Sequence, residues 1–215
     1  MKIITSIPNR NTDSNIYLKS GKFAYKVESS WAKWPDEIKG YDVLCLICDK
    51  NDNLYATTSH PDNPICVFNS QGDFIRSFGK GLFLRPHSIS FTSQGTVLCA
   101  DSSLSLHVVR EIDLDGNLVR TFGTPGVPSD TGYNADIFIK TDTKEIMTED
   151  QQSLNRLNAK LDTIEKAGKP FNRPCHMVEA QTGEMFAADG YGNAVVHKFA
   201  SDGTYLETWG GRAQA

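Results

Sequence analysis

"PHSISFTSQGTVLCADSSLSLHVVREIDLDGNLVRTFG", residues 86–123, divides into four short strands. "HSISF" (87–91) alternates polar and apolar positions, and the turn "SQG" follows. "VLCAD" (97–101) is a second apolar run, and "HVVREI" (107–112) is a third after a polar loop. The Gly turn "DLDGN" then leads to "LVRTFG" (118–123). Period-two alternation broken by Gly, Asn and Asp predicts antiparallel strands. The pattern recurs on both sides, in 42–79 ("DVLCLICDKNDNLYATTSHPDNPICVFNSQGDFIRSFG") and 174–210 ("PCHMVEAQTGEMFAADGYGNAVVHKFASDGTYLETWG").

The turn glycines set the period. Gly72 and Gly116 are 44 residues apart, and Gly116 and Gly203 are 87 apart. A four-stranded unit every ~40–45 residues predicts the blades of a β-propeller. Phe78, Phe122 and Trp209 precede the closing glycines and are expected to pack between neighbouring blades.

The doubled interval marks an insertion rather than a degenerate blade. Residues 124–147 are rich in turn formers. Residues 148–167 carry Leu154, Leu157, Leu161 and Ile164 on one helical face, with Thr148 as the cap and Gly168 and Pro170 as the stop. The stripe is expected to lie on the propeller, with partner binding as the alternative. "KFAYKVESSWAKWP" alternates from Phe23 to Val27 and predicts one strand, which would complete a further blade. The chain is therefore expected to be all-β, with an N-terminal segment (1–41), blades over 42–210 interrupted by the loop and helix of 124–170, and a tail (211–215).

Composition narrows the function. The 215 residues carry a net charge of −4. Nucleic-acid and anionic-membrane proteins usually show a basic excess instead. No run reaches the ~18 apolar residues of a membrane span. The apolar stretch in "MKIITSIPNRNTDS" is too short for a signal peptide, so the default expectation is cytoplasmic, with an exported parent that has lost its leader as the alternative. Cys45 and Cys48 form C-x-x-C, a zinc half-site or redox pair in other settings. Three apart on a strand they point to opposite faces, so two small buried hydrophobes are expected.

The repeats resemble the NHL-repeat propellers, and more closely the peptidylglycine α-amidating lyases and their bacterial lyase-like relatives. "WAKWP" (31–35), "GLFLRPHSISF" (81–91), "GTPGVPSDTGY" (123–133), "PFNRP" (170–174) and "AADGYGNAVVHKFASDGTYLETWG" (187–210) carry the resemblance. It runs from about residue 25 to 210, apart from the inserted helix, and "RPHSI" followed by "DGYGN" is its most specific part. It implies a six-bladed parent with zinc on the axis, held by three histidines in P-H motifs. A D-G-Y tyrosine and an arginine from a neighbouring blade complete that site. The implied reaction splits a peptidyl-α-hydroxyglycine into a peptide amide and glyoxylate, with zinc as Lewis acid and the tyrosine as base.

Carried over, His87 falls on the first zinc ligand, Tyr191 on the catalytic tyrosine, and Ile89 on a carbonyl ligand of a structural calcium. Other positions depart from the pattern. His87 belongs to the only Pro-His dipeptide in the sequence. Cys175 stands in its register in the last repeat, and His176 is one residue off and expected to face away. The loop after "NLYA" has His60 where the arginine belongs, and the positions of the implied disulfide hold Asn172 and Gly192. Asp101 and Asp189 are expected to hold turn amides, and His107 and His197 to be partly exposed.

Three repeats and about 40 further residues give three or four blades, against ~250 residues for six. The expectation is a truncated or self-associating arc whose lyase site is incomplete. The alternative is a non-catalytic propeller that binds a peptide or protein on one face; the expected partners are a peptide or small-molecule ligand on the axis and a protein partner or second copy, without nucleic acid or membrane.

Overall fold

The computed structural model describes residues 17–26, 28, 30–137 and 149–211. A hairpin of β1 (Tyr17–Ser20) and β2 (Phe23–Lys26) opens the chain. Three four-stranded antiparallel sheets follow. The first blade is β3 (Val43–Cys48), β4 (Leu54–Thr58), β5 (Ile65–Phe68) and β6 (Phe74–Phe78). The second is β7 (Pro86–Phe91), β8 (Val97–Asp101), β9 (Val109–Ile112) and β10 (Leu118–Phe122). Helix α1 (Glu149–Leu161) precedes the third, made of β11 (His176–Glu179), β12 (Met185–Asp189), β13 (Val195–Phe199) and β14 (Tyr205–Gly210). In each blade sequential strands are neighbours, and the first strands adjoin across blades, with β7 between β3 and β11. The predicted all-β architecture of four-stranded blades is what the structure shows.

Alternation along β8 explains the stacking. Val97 and Cys99 face the first blade, in a core with Tyr55, Ile65, Val67, Phe78, Phe83, Ile89 and Ile112. Leu98 and Ala100 face the third blade, in a core with Val109, Phe122, Phe171, Met177, Met185, Ala187 and Phe199. A strand covered on both faces reads as a continuous apolar run, as "VLCA" does. Polar links cross the second interface as well. Ser90 Oγ donates to the Met177 carbonyl at 2.5 Å, and Arg120 bonds both Glu111 and the Ser201 carbonyl. Gly72, Gly116 and Gly203 all have positive φ, which the turn before each fourth strand requires.

Several expectations are corrected. Residues 23–26 pair with 17–20 in a separate hairpin and complete no blade; Val27 lies outside the described residues. The outer flank of the first blade is covered instead by Ile38, Ala32 and Trp34, with Trp34 edge-on to Phe68. Phe78 and Phe122 pack between blades as predicted. Trp209 is 42 % exposed and stacks on Phe186, because no described sheet lies on that side of the third blade.

The inserted helix exists but ends at Leu161, well before Gly168. Thr163 Oγ1 donates to the Lys160 carbonyl and accepts the Asn134 amide, while the Glu165 amide pairs with the Thr131 carbonyl. Tertiary contacts end the helix before its sequence stop. Leu154 and Leu157 are exposed and only Ile164, beyond the helix, is buried, so the stripe does not lie on the propeller. Thr148 is outside the described residues. None of the described helices is long and apolar enough to cross a membrane.

Candidate functional site

The corner that delivers His87 is held by Asp101, the last residue of β8. Its Oδ2 accepts the amides of Leu84 and Arg85 (2.7 and 2.8 Å), and its Oδ1 accepts that of Ser103 (2.9 Å). Asp189 does the same in the third blade. Its Oδ2 accepts the Asn172 amide (2.7 Å) and the Asn193 side-chain amide (2.8 Å). Both carboxylates hold backbone, as predicted, and each fixes an Arg-Pro corner: Arg85-Pro86 ahead of His87, Arg173-Pro174 ahead of Cys175.

The two corners bring the site together. His87 Nδ1–H donates to the Cys175 carbonyl (3.0 Å), and Nε2 is hydrogen-bonded to the Tyr191 hydroxyl (3.0 Å). The guanidinium of Arg173 lies 4.9 Å from the Tyr191 ring centre. Its Nε donates to the Ser102 carbonyl (3.0 Å) and its Nη1 to the Tyr133 hydroxyl (2.9 Å). His87 and Tyr191, which fall 104 positions apart, therefore meet as the resemblance implied. Arg173 and Tyr133 were not assigned a role from sequence. The signal for Arg173 was there in the repeat register, which puts it where Arg85 stands. Nothing local marks Tyr133, which the insertion carries to the site.

The loop 189–193 that presents Tyr191 is fastened at both ends. Thr131 Oγ1 donates to the Gly192 carbonyl (2.6 Å) and accepts from Asn172 Nδ2 (3.2 Å). Asn193 Oδ1 accepts the Gly168 amide (2.8 Å). The positions of the implied disulfide adjoin, since a Cβ on Gly192 would fall 2.5 Å from Asn172 Oδ1. Hydrogen bonds from the insertion hold them together.

The donor set does not fit a zinc ion. Both ring nitrogens of His87 are engaged by protein groups. Cys175 Sγ accepts the Gly190 amide at 3.3 Å, and burial raises its thiol pKa, which disfavours the thiolate a metal needs. Among the described residues no three His, Cys, Asp or Glu side chains converge as metal ligands around His87. The Ile89 side chain is buried in the first interblade core. His60 does not replace the missing arginine: its Nδ1 accepts the amides of Asp62 and Asn63, and its ring packs on Tyr41. The C-x-x-C cysteines are not both buried. Cys45 is half-buried and Cys48 exposed, and all five cysteines are free thiols. Burial pushes Cys66 up to about 12.

His107 and His197 are also corrected, being buried rather than partly exposed. His197 is held by Thr208 Oγ1 (2.7 Å) inside the third blade. His107 Nε2 donates to the Leu104 carbonyl (2.9 Å), while its buried Nδ1 has no partner among the described residues. Burial lowers its pKa from 6.5, with Arg173 assisting and Asp189 and Asp101 opposing. Burial, with the neighbouring His87 assisting, also lowers His176. A histidine with a depressed folded pKa contributes stability that is complete above its unfolded pKa, about 6.5, and is lost as pH falls toward the folded value. Unfolding free energy should therefore decline as pH falls from 7 into that window. His107→Asn suits the left-handed backbone there (φ 55°) and should flatten the decline in urea melts. An unchanged slope would count against His107 as its source.

No protein-family model matches the chain. Human NHL repeat-containing protein 3 is 27 % identical over 225 aligned positions, covering 93 % of this chain and 64 % of that protein. Protein brain tumor of Drosophila melanogaster is 20 % identical over 108 positions, half of this chain and 10 % of that protein. Among solved structures, a virginiamycin B lyase of Staphylococcus aureus aligns with 84 % of this chain and 44 % of its own at 9 % identity, with a TM-score of 0.49. The chain thus spans less than two thirds of the curated relatives it matches. Repeats closed by glycine turns, blades of four antiparallel strands and a likeness running through 93 % of the sequence support an NHL-type β-propeller fold for this chain.

Proposed function

We propose that this propeller binds a peptide, or an exposed segment of a partner protein, at the inner end of its second and third blades. The observation that carries it is the convergence of His87, Tyr191, Arg173 and Tyr133, two aromatic hydroxyls, an imidazole and a guanidinium, from two blades and the insertion. Tyrosine and arginine supply much of the energy of recognition sites, through rigid apolar area with a polar tip. All four side chains are half-buried, so they are both accessible and held in place. Peptidyl-α-hydroxyglycine lyase activity is the second possibility, favoured by the contact of Tyr191 with His87 beneath a cation.

Titration of the labelled chain with pooled N-acetylated peptides, followed by NMR, tests the binding role. Shifts centred on His87, Tyr133, Arg173 and Tyr191 are expected. Shifts confined to other surfaces, or none, would overturn it. Glyoxylate release from a peptidyl-α-hydroxyglycine with zinc supplied would establish the lyase instead.

A further inference from the structure

We infer that Arg173 holds a carboxylate of the ligand; this rests on the peptide-binding site proposed above. Arg76 lies over the Phe78 ring and Arg110 bonds the Leu82 carbonyl, whereas Arg120 and Lys198 have an acidic partner, Glu111 at 2.5 Å and Glu184 at 2.7 Å. Arg173 has none among the described residues. The carboxylates of the two corners make no ion pair with it: Asp101 accepts the amides of Leu84, Arg85 and Ser103, and Asp189 Oδ2 accepts from Asn172 and Asn193. An unpaired charge taken partly out of water is unfavourable, and a ligand carboxylate would offset that.

The geometry suits such a ligand. Nε is tied to Ser102 and one Nη1 hydrogen to Tyr133, and the Tyr191 ring lies along one side. These contacts fix the guanidinium plane, while Nη2 has no protein partner among the described residues. A pre-set planar fork matches a carboxylate better than any point charge does. The backbone adds a second indication. Arg173 is a non-glycine residue at φ 68°, a left-handed conformation that L side chains rarely adopt. It is held there by the bond from Asn172 to Asp189 on one side and from the Cys175 amide to the Ala188 carbonyl on the other. Strain enforced from both sides at a residue that aims a cation marks a functional position. Arg85 holds the same place in the second blade but is exposed.

The carboxylate has two sources, a peptide C-terminus or an Asp or Glu side chain. Three acetylated peptide pools separate them: free C-terminus without acidic residues, the same pool amidated, and an amidated pool containing Glu. Isothermal titration and the NMR signal of the Arg173 side chain are the readouts. One carboxylate-bearing pool is expected to bind roughly ten- to hundred-fold more tightly than the uncharged amidated pool and to shift the Arg173 Nε–H signal. Arg173→Gln should abolish that difference and Arg173→Lys should recover part of it, while Arg85→Gln should leave it intact. Equal binding of all pools at His87 and Tyr191 would overturn the carboxylate role and leave the binding site standing. No perturbation of these residues by any pool would overturn both. The comparison of pools needs no variant, so it holds even if Arg173→Gln fails to fold.

Discussion

Phe171→Ala is expected to lower the unfolding free energy by about 3–5 kcal/mol, a large part of the ~5–15 kcal/mol that holds a domain together. Phe171 is fully buried between the second and third blades. Its ring meets His197 at 5.4 Å and Phe199 at 5.8 Å, and a Cβ on Gly123 would come within 2.9 Å of it. The surrounding strands are tied to their own sheets, so they cannot close over the gap, and the cavity adds to the lost burial. Phe171→Leu keeps more of the volume and should cost less. Urea denaturation of the two variants gives the comparison. A cost below about 1 kcal/mol for the alanine variant would mean that the two blades are not packed as described.

Removing the Asp189 carboxylate should cost a comparable amount and also take the binding site with it. Asp189 has no solvent exposure, and its Oδ2 accepts from the Asn172 backbone and the Asn193 side chain. In Asp189→Ala the Asn172 amide stays buried without an acceptor and Asn193 Nδ2 loses this bond while keeping the one to the Gly168 carbonyl, at about 1–3 kcal/mol for each N–H left unpaired. Those two residues bracket the elements that matter. Asn172 precedes Arg173, and Asn193 closes the loop that presents Tyr191. The variant should thus lose stability by about 2–6 kcal/mol and lose peptide-induced shifts at Arg173 and Tyr191 together. Asp189→Asn keeps an acceptor oxygen and should lie between the two. Melts paired with peptide titration at a temperature where the variant is folded separate these effects. A stable Asp189→Ala that still binds would remove Asp189 from its role as the holder of the corner.

The parts of the fold that could be read in the chain are those where a local rule repeats. The three blades follow from period-two alternation and from glycines at turns that need positive φ, and both are properties of short segments. The insertion was legible because a 3.6-residue period interrupts a two-residue one. Its end and its docking were not, because bonds from Thr163 and Glu165 to residues near 131–134 outweigh the local stop at Gly168. The exposure of Trp209 follows the same rule. Its sequence position equals that of Phe78 and Phe122, but only a neighbouring sheet can bury it.

The site divides in the same way. Residue type and register were enough to place His87 and Tyr191 at strand ends and to give Asp101 and Asp189 their work, since a carboxylate at the end of a second strand faces amides a fixed distance away in the repeat. Arg173 entered only with the tertiary structure. The expected arginine belonged to another loop, and what makes Arg173 a candidate is the absence of an acidic partner among the described residues together with two tyrosines, one 40 residues earlier and one 18 later. The burial of His107 and His197 and the engagement of both His87 nitrogens are likewise facts of packing. By itself the amino-acid order determined a propeller of four-stranded blades, because alternation and turn chemistry act within a few residues. Which side chains meet at its inner end, His87 with Tyr191 and Arg173 with Tyr133, depends on contacts between blades, which arise only once the sheets are stacked.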